Sequence, residues 1–221
     1  TLGDDDERAE LATIGGDVLA AAVAGDALVY LRPAGDRRWE AVRRTGASES
    51  VIVRADGIAP SDAPLIDCTP DACVVATSSA TELELRAFDP TTGTGLGVPC
   101  VAAPGAAASV RAISVEPRVP LAVVFARNGD HRLVRVVMDG CAVTEREITG
   151  AALQFLEAAP DGSVIATSVS HASSERRLVR IPEEGFEPTV LLSENAWLYR
   201  PVLSLDGTRI LFARRNDRSS A

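Results

Sequence analysis

The chain has 221 residues, 46% of them hydrophobic, and a formal net charge of −9 at pH 7. Acidic residues outnumber basic ones 31 to 22, and every basic residue is arginine, so the clustered cations that a nucleic-acid partner requires are missing. The longest apolar run, around Val18 to Val23, is far too short to cross a bilayer, and no membrane insertion by this segment is expected.

Taken in chain order, residues 1–16 form an N-terminal segment that starts at Thr1 rather than Met and has no hydrophobic leader, which reads as a processed protein or an excised fragment. Its acidic run, Asp4 to Glu7, reads as a solvated terminus rather than a calcium site. Beyond it, short turn segments recur between β-rich runs: AGD at Ala24 to Asp26, TPDA at Thr69 to Ala72, EPRV at Glu116 to Val119, APDG at Ala159 to Gly162 and SLDG at Ser204 to Gly207. With Ala24, Pro70, Pro117, Pro160 and Leu205 as equivalent points, the spacings are 46, 47, 43 and 45. Pro presets φ in such a turn, and Asp and Gly tolerate its later positions.

Each turn is followed by a run suited to a buried strand: ALVYL from Ala27, CVVAT from Cys73, LAVVF from Leu121, SVIAT from Ser163 and RILFA from Arg209. A third strand of alternating polarity comes next, as in TELELRAF from Thr81, HRLVRVV from His131 and ERRLVRI from Glu175. A weaker fourth follows in each full repeat, AVTEREI from Ala142 and PTVLL from Pro188 among them. Four antiparallel strands in about 45 residues make one blade of a β-propeller. The period is too long for leucine-rich or β-helical repeats, a helical 3.6-residue pattern is absent, and a sandwich has no reason to repeat its turns at fixed intervals. The expectation is an all-β chain of about five repeats, at 17–61, 62–107, 108–150, 151–195 and 196–221, with the last blade incomplete.

The segments EAAPDGSVIATS from Glu157 and PVLSLDGTRILFAR from Pro201 resemble the repeat of TolB-like and WD-repeat-like propellers, and CTPDACVVATS from Cys68 resembles it in part. The third copy departs, with Arg118 where that repeat has Asp, and the first lacks the proline. The resemblance implies the fold and says little about function. It leaves two ways to close the ring. Either Arg8 to Ile14 supplies the outer strand of the last blade, or a second chain or a further segment completes it; the six or seven blades usual among such propellers favour the latter.

No catalytic motif is present. There is no nucleophile elbow, no paired-histidine zinc motif and no phosphate loop, so no catalytic residue, metal or cofactor is expected. SLDGT at Ser204 to Thr208 resembles a sialidase aspartate box but falls in the wrong place and reads as a structural turn. The candidate ligand-binding face is the one carrying the loops between second and third strands, with Arg127, Asn128, Asp130, His131, His171 and Trp197. Cys68 and Cys73 flank a turn and could face each other at the ~5.5 Å Cα separation of paired strands, which a disulfide accepts; free buried thiols are the alternative for all four cysteines. Cys100 and Cys141 lie about one repeat apart, and their pairing stays open because outer strands splay with radius.

Two functions remain. The first is a non-catalytic, extracytoplasmic binding or sensor scaffold that holds a protein, peptide or cell-envelope ligand on its loops. The alternative is a propeller accessory to an enzyme such as a prolyl-oligopeptidase-like serine peptidase, with the catalytic domain elsewhere.

Overall fold

The computed structural model describes residues 17–35, 38–54, 64–78, 83–102, 108–116, 121–127, 130–173, 175–184, 187–204 and 206–215. Every element among them is a strand. The first sheet runs β1 (Ala20–Ala24), β2 (Ala27–Pro33), β3 (Trp39–Thr45) and β4 (Ser48–Arg54). The second runs β5 (Leu65–Cys68), β6 (Cys73–Ser78), β7 (Leu83–Phe88) and β8 (Cys100–Ala102). The third holds β9 (Ala108–Ser114), β10 (Leu121–Arg127), β11 (Asp130–Val137) and β12 (Ala142–Ile148). The fourth holds β13 (Ala151–Ala158), β14 (Val164–Ser170), β15 (Arg176–Ile181) and β16 (Thr189–Glu194). Each is an antiparallel meander, as expected of a propeller blade.

The fifth repeat is one interrupted hairpin. β17 (Trp197–Leu198) pairs with β20 (Arg214–Arg215), and β18 (Val202–Leu203) pairs with β19 (Ile210–Leu211). Among the described residues no strand pairing joins this hairpin to the first sheet. The segment Arg8 to Ile14 and the acidic run Asp4 to Glu7 lie outside the described residues.

The apolar runs β6 and β14, after the turns of the second and fourth repeats, are buried on both faces, because alternate side chains enter different cores. Cys73 and Val75 of β6 pack against the first blade with Val29, Leu31 and Trp39. Val74 and Ala76, one residue out of phase, pack against Ile113, Val134 and Val136 of the third. Val164 and Ala166 pack with Leu133 and Ile148 between the third and fourth blades, whereas Ile165 joins Leu178 and Leu198 against the fifth repeat. A core thus lies between every two consecutive blades.

Both cysteine pairs are bonded. Cys68 and Cys73 face each other across the β5–β6 hairpin, and their Cα atoms are only 4.1 Å apart. That is closer than the separation expected from sequence, because the neighbouring Thr69 N–H and Ala72 C=O make the ladder bond and leave the cysteines a non-hydrogen-bonded pair. Cys100 of β8 is bonded to Cys141, 5.4 Å away between Cα atoms, in the turn before β12. Cys141 sits at φ +53°, which a non-glycine residue rarely adopts. This bond staples adjacent blades at the rim and spans 41 residues, a loop for which the chain-entropy model gives about 4 kcal/mol.

At the axis a second staple recurs. The inner strands β1, β5, β9 and β13 lie side by side in that order. Asp67 on β5 accepts a hydrogen bond from the backbone N–H of Val115, just after β9, at 2.8 Å. Ser114 on β9 accepts one from the N–H of Ala158 on β13, also at 2.8 Å. Glu157 on β13 accepts one from the N–H of Leu203 on β18. The three acceptors occupy equivalent positions, each three residues before the proline of its turn or of the equivalent turn.

Burial makes two of these clasps titratable. Desolvation pushes the Asp67 carboxyl up, against the opposing pull of the Val115 N–H and the Arg200 guanidinium. Glu157 is pushed up to about 7, first by desolvation and then by the Asp67 charge, with Arg200 and the Leu203 N–H acting in the opposite sense.

Two outcomes follow from the clasps. Ser114 is 2% exposed, so Ser114→Ala leaves a buried N–H without an acceptor and should cost about 1–2 kcal/mol in denaturant unfolding. Between the ordinary 4.5 of glutamate and about 7, the folded chain holds a proton on Glu157 that the unfolded chain releases. Stability therefore falls as pH rises through that window, and Glu157→Gln, which keeps the acceptor oxygen and cannot ionise, should flatten the loss by on the order of 2–3 kcal/mol. Melting curves at both ends of the window check this; an unchanged slope in the variant rules out Glu157 as its source.

Candidate functional site

The inner strands carry the irregularities that build the site. In β9 the register with β10 slips between Val124 and Phe125, and Arg111 is left as the extra residue. In β13 the register with β14 slips between Leu153 and Phe155, and Gln154 is left unpaired in the same way. A bulge bends its strand and re-aims a side chain. Here the same device in consecutive blades brings Arg111 and Gln154 to the wall of the central channel.

Two cavities share those residues. One, of about 310 Å³, runs along the axis between Ala20 and Ala21 of β1, Ile66 of β5, Ile113 of β9 and Arg200. The other, of about 470 Å³, opens at the mouth, and Arg111, His131, Gln154, Phe155, Trp197 and Tyr199 line it. The mouth lies where inner strands begin: Ala108 of β9 is opposite Arg127, Ala151 of β13 is opposite Ser170, and Trp197 opens β17. Trp39, Tyr30 and Phe88 are in the cores, so Phe155, Trp197 and Tyr199 concentrate at one place much of the chain's 4% aromatic content. Arg176, at the start of β15, lies 3.6 Å over the Trp197 ring, a cation–π contact that fixes the indole from the fourth blade.

Of the residues that the sequence singles out, His131 and Trp197 meet in this cavity. His131 is not in a loop: it is the second residue of β11, paired with Ala126 of β10. His171 is exposed in the turn after β14, its N–H on the Gly150 carbonyl at 3.0 Å, and lines neither cavity described here. Asn128 lies outside the described residues, as do the side chains of Arg127 and Asp130. Arg111 and Gln154 are missed from sequence because nothing in a strand's composition marks a bulge; Phe155 and Tyr199 are missed because an aromatic in a β-rich run looks like a core residue.

The far end of the channel has the opposite charge. Asp67 and Glu157 lie there with Glu116 close enough to raise the Glu157 carboxyl further, and Arg200 reaches Asp67 at 3.3 Å. Among the described residues no group of three His, Cys, Asp or Glu gathers to hold a metal. The SLDGT segment is a turn brace: Asp206 accepts from the Thr208 N–H at 3.0 Å and from the hydroxyls of Ser204 and Thr208, which hold its carboxyl down to about 2. Asp161 does the same work in the preceding repeat, accepting from the N–H and hydroxyl of Ser163.

No protein-family model matches the sequence, and no curated protein matches it. Solved structures do. Over 96% of its length the chain superimposes on 74% of a protein assigned as TolB from Agrobacterium tumefaciens, with a TM-score of 0.66 at 12% identity. TolB from Acinetobacter baumannii matches over 94% of the chain and 51% of its own length, with a TM-score of 0.59 at 14% identity. Prolyl oligopeptidase B from Galerina marginata matches over 88% of the chain but only 30% of its own length, with a TM-score of 0.58 at 10% identity. The chain thus spans about half of one TolB and under a third of the peptidase. Identities this low speak to architecture alone, and with the four-stranded meanders around a shared axis they make the chain a TolB-like β-propeller in fold.

Proposed function

We propose that the chain is a non-catalytic binding scaffold whose ligand enters the aromatic mouth of the channel, and that the ligand is a protein, a peptide or a cell-envelope component. One observation carries the reading: side chains from three repeats, His131 and Arg111 from the third, Gln154 and Phe155 from the fourth, Trp197 and Tyr199 from the fifth, line one open cavity that the inter-blade cores do not need. Concave sites with an apolar wall and a few polar groups are where ligands bind. Neither a carboxylate nor a serine or cysteine nucleophile is among the described residues lining that cavity, which favours binding over catalysis. Two disulfides favour an oxidising compartment, so the scaffold is read as extracytoplasmic, periplasmic or secreted.

The likeness to prolyl oligopeptidase B gives the second reading its support: a propeller accessory to a peptidase domain. A nucleophile elbow encoded downstream in the parent reading frame would decide for it.

Peptides displayed on phage and selected on the chain test the first reading. Trp197→Ala should weaken the recovered binders roughly tenfold or more, since a central aromatic is worth about 2 kcal/mol at such a site. The melting temperature should move little, because the indole lines an open cavity and its cation–π pair with Arg176 is worth about 1 kcal/mol. Binders indifferent to both Trp197→Ala and Arg127→Ala would put the ligand on another face.

A further inference from the structure

We infer that the mouth of the channel takes a ligand bearing a carboxylate next to an apolar or aromatic group, with the carboxylate seated by Arg111 and the apolar part laid on Phe155, Trp197 and Tyr199. The inference rests on reading the mouth as the ligand site and adds the chemistry of what enters it.

Arg111 carries the argument. In this acidic chain arginines are repeatedly held by carboxylates: Arg86 by Glu84 at 2.9 Å, Arg177 by Glu175 at 2.8 Å, Arg214 by Glu194 at 2.8 Å, and Arg32 by Glu40. Arg111 is exposed, lines both cavities, and has neither an ion pair nor a hydrogen bond among the described residues. The bulge in β9 takes it out of the strand ladder and turns it toward the axis. Arg200 also lines the channel, but Asp67 neutralises it. A guanidinium presents a planar fork of donors that matches a carboxylate with two parallel hydrogen bonds.

The surroundings select the rest of the ligand. Gln154, displaced by the matching bulge, adds an amide beside the fork, and Arg176 adds positive charge behind the Trp197 ring. The carboxyl groups of Asp67, Glu116 and Glu157 stand at the opposite end of the channel, where Arg200 is already held by Asp67, so the mouth is the better seat for an acid. One fork is enough for a carboxylate, whereas phosphate sites gather several cations or a nest of backbone N–H groups, and among the described residues lining the mouth Arg111 is the one arginine. Three aromatic side chains on one wall then favour a ring or a bulky apolar group within reach of that carboxylate.

Titration of the chain with 3-phenylpropionate, 3-phenylpropionamide, and the tripeptide Gly-Gly-Phe with a free or an amidated C-terminus tests this by calorimetry and by Trp197 fluorescence. Each acid should bind roughly tenfold or more tightly than its amide. Arg111→Gln should erase the difference, and Trp197→Ala should weaken acid and amide alike. The stronger of the two acids says whether the carboxylate belongs to a free small molecule or to a peptide terminus. Arg111 is exposed, so Arg111→Gln leaves the fold intact, and its melting curve shows that directly. Equal binding of acid and amide overturns the inference, as does an acid preference that survives Arg111→Gln, or no binding by any of the four at millimolar concentration. If acid and amide bind equally and Trp197→Ala removes both, the mouth remains a ligand site and only the carboxylate is wrong; binding that ignores both substitutions removes the site itself.

Discussion

The structure depends on how one blade is tied to the next at the axis. A blade buries both faces only against neighbours, and apolar packing between sheets has no directional preference of its own. What fixes the register from the second blade to the fifth repeat is the clasp: Asp67 to Val115, Ser114 to Ala158, Glu157 to Leu203. Each hydrogen bond is worth on the order of 1 kcal/mol net, less than the core beside it, yet each breaks if a strand slides by one residue. The cores hold the blades together and the clasps fix their register. The clasp is missing between the first and second blades, where Ala21 stands at the equivalent position, and there the Cys68 N–H turns to Asp67 of its own strand.

The choice of acceptor has a cost. Serine accepts without charge, but two of the three clasps use carboxylates near each other and away from water. Arg200 answers part of that charge from the fifth repeat, 133 residues away in sequence from Asp67. The same guanidinium lines the axial cavity, so what stabilises the acidic end of the channel also shapes its interior. The channel consequently differs along its length: carboxyl groups answered by Arg200 at one end, Arg111 and Arg176 at the other.

Much of the fold is legible in the sequence because turn chemistry and strand burial repeat together. Five evenly spaced turns resolve into four complete sheets and a fifth hairpin, and the run AVTEREI is β12 from first residue to last. The clasp was legible too, as a polar residue three places before proline in three successive repeats, and it shows once those repeats are aligned on their turns. Other features were not. A bulge adds a residue to a strand without changing its pattern, so Arg111 and Gln154 look like ordinary strand positions. The strand β11 begins at Asp130, so His131 lies in a strand and not in the loop before it. The Cys100–Cys141 bond defeats the argument from splaying outer strands because Cys141 is in a turn at φ +53°, where the chain reaches back toward β8.

The location of the mouth ties ligand and fold together. Trp197 and Tyr199 belong to the fifth repeat, which has two interrupted strands where the other blades have four. Among the described residues its core is the smallest of the four, with Leu198 against Ile165 and Leu178, and its other ties include the Glu157 clasp, the Arg200–Asp67 bridge, the Arg214–Glu194 ion pair and Arg176 over the indole. Segments with few buried contacts open at lower free energy than the body of a protein. On the proposed reading, a ligand pressed between Arg111 and the aromatic wall touches the third, fourth and fifth repeats at once. It therefore binds only when the fifth repeat is docked, and its binding free energy adds to the docking of that repeat. The fold thus places its least secured element where a ligand would secure it.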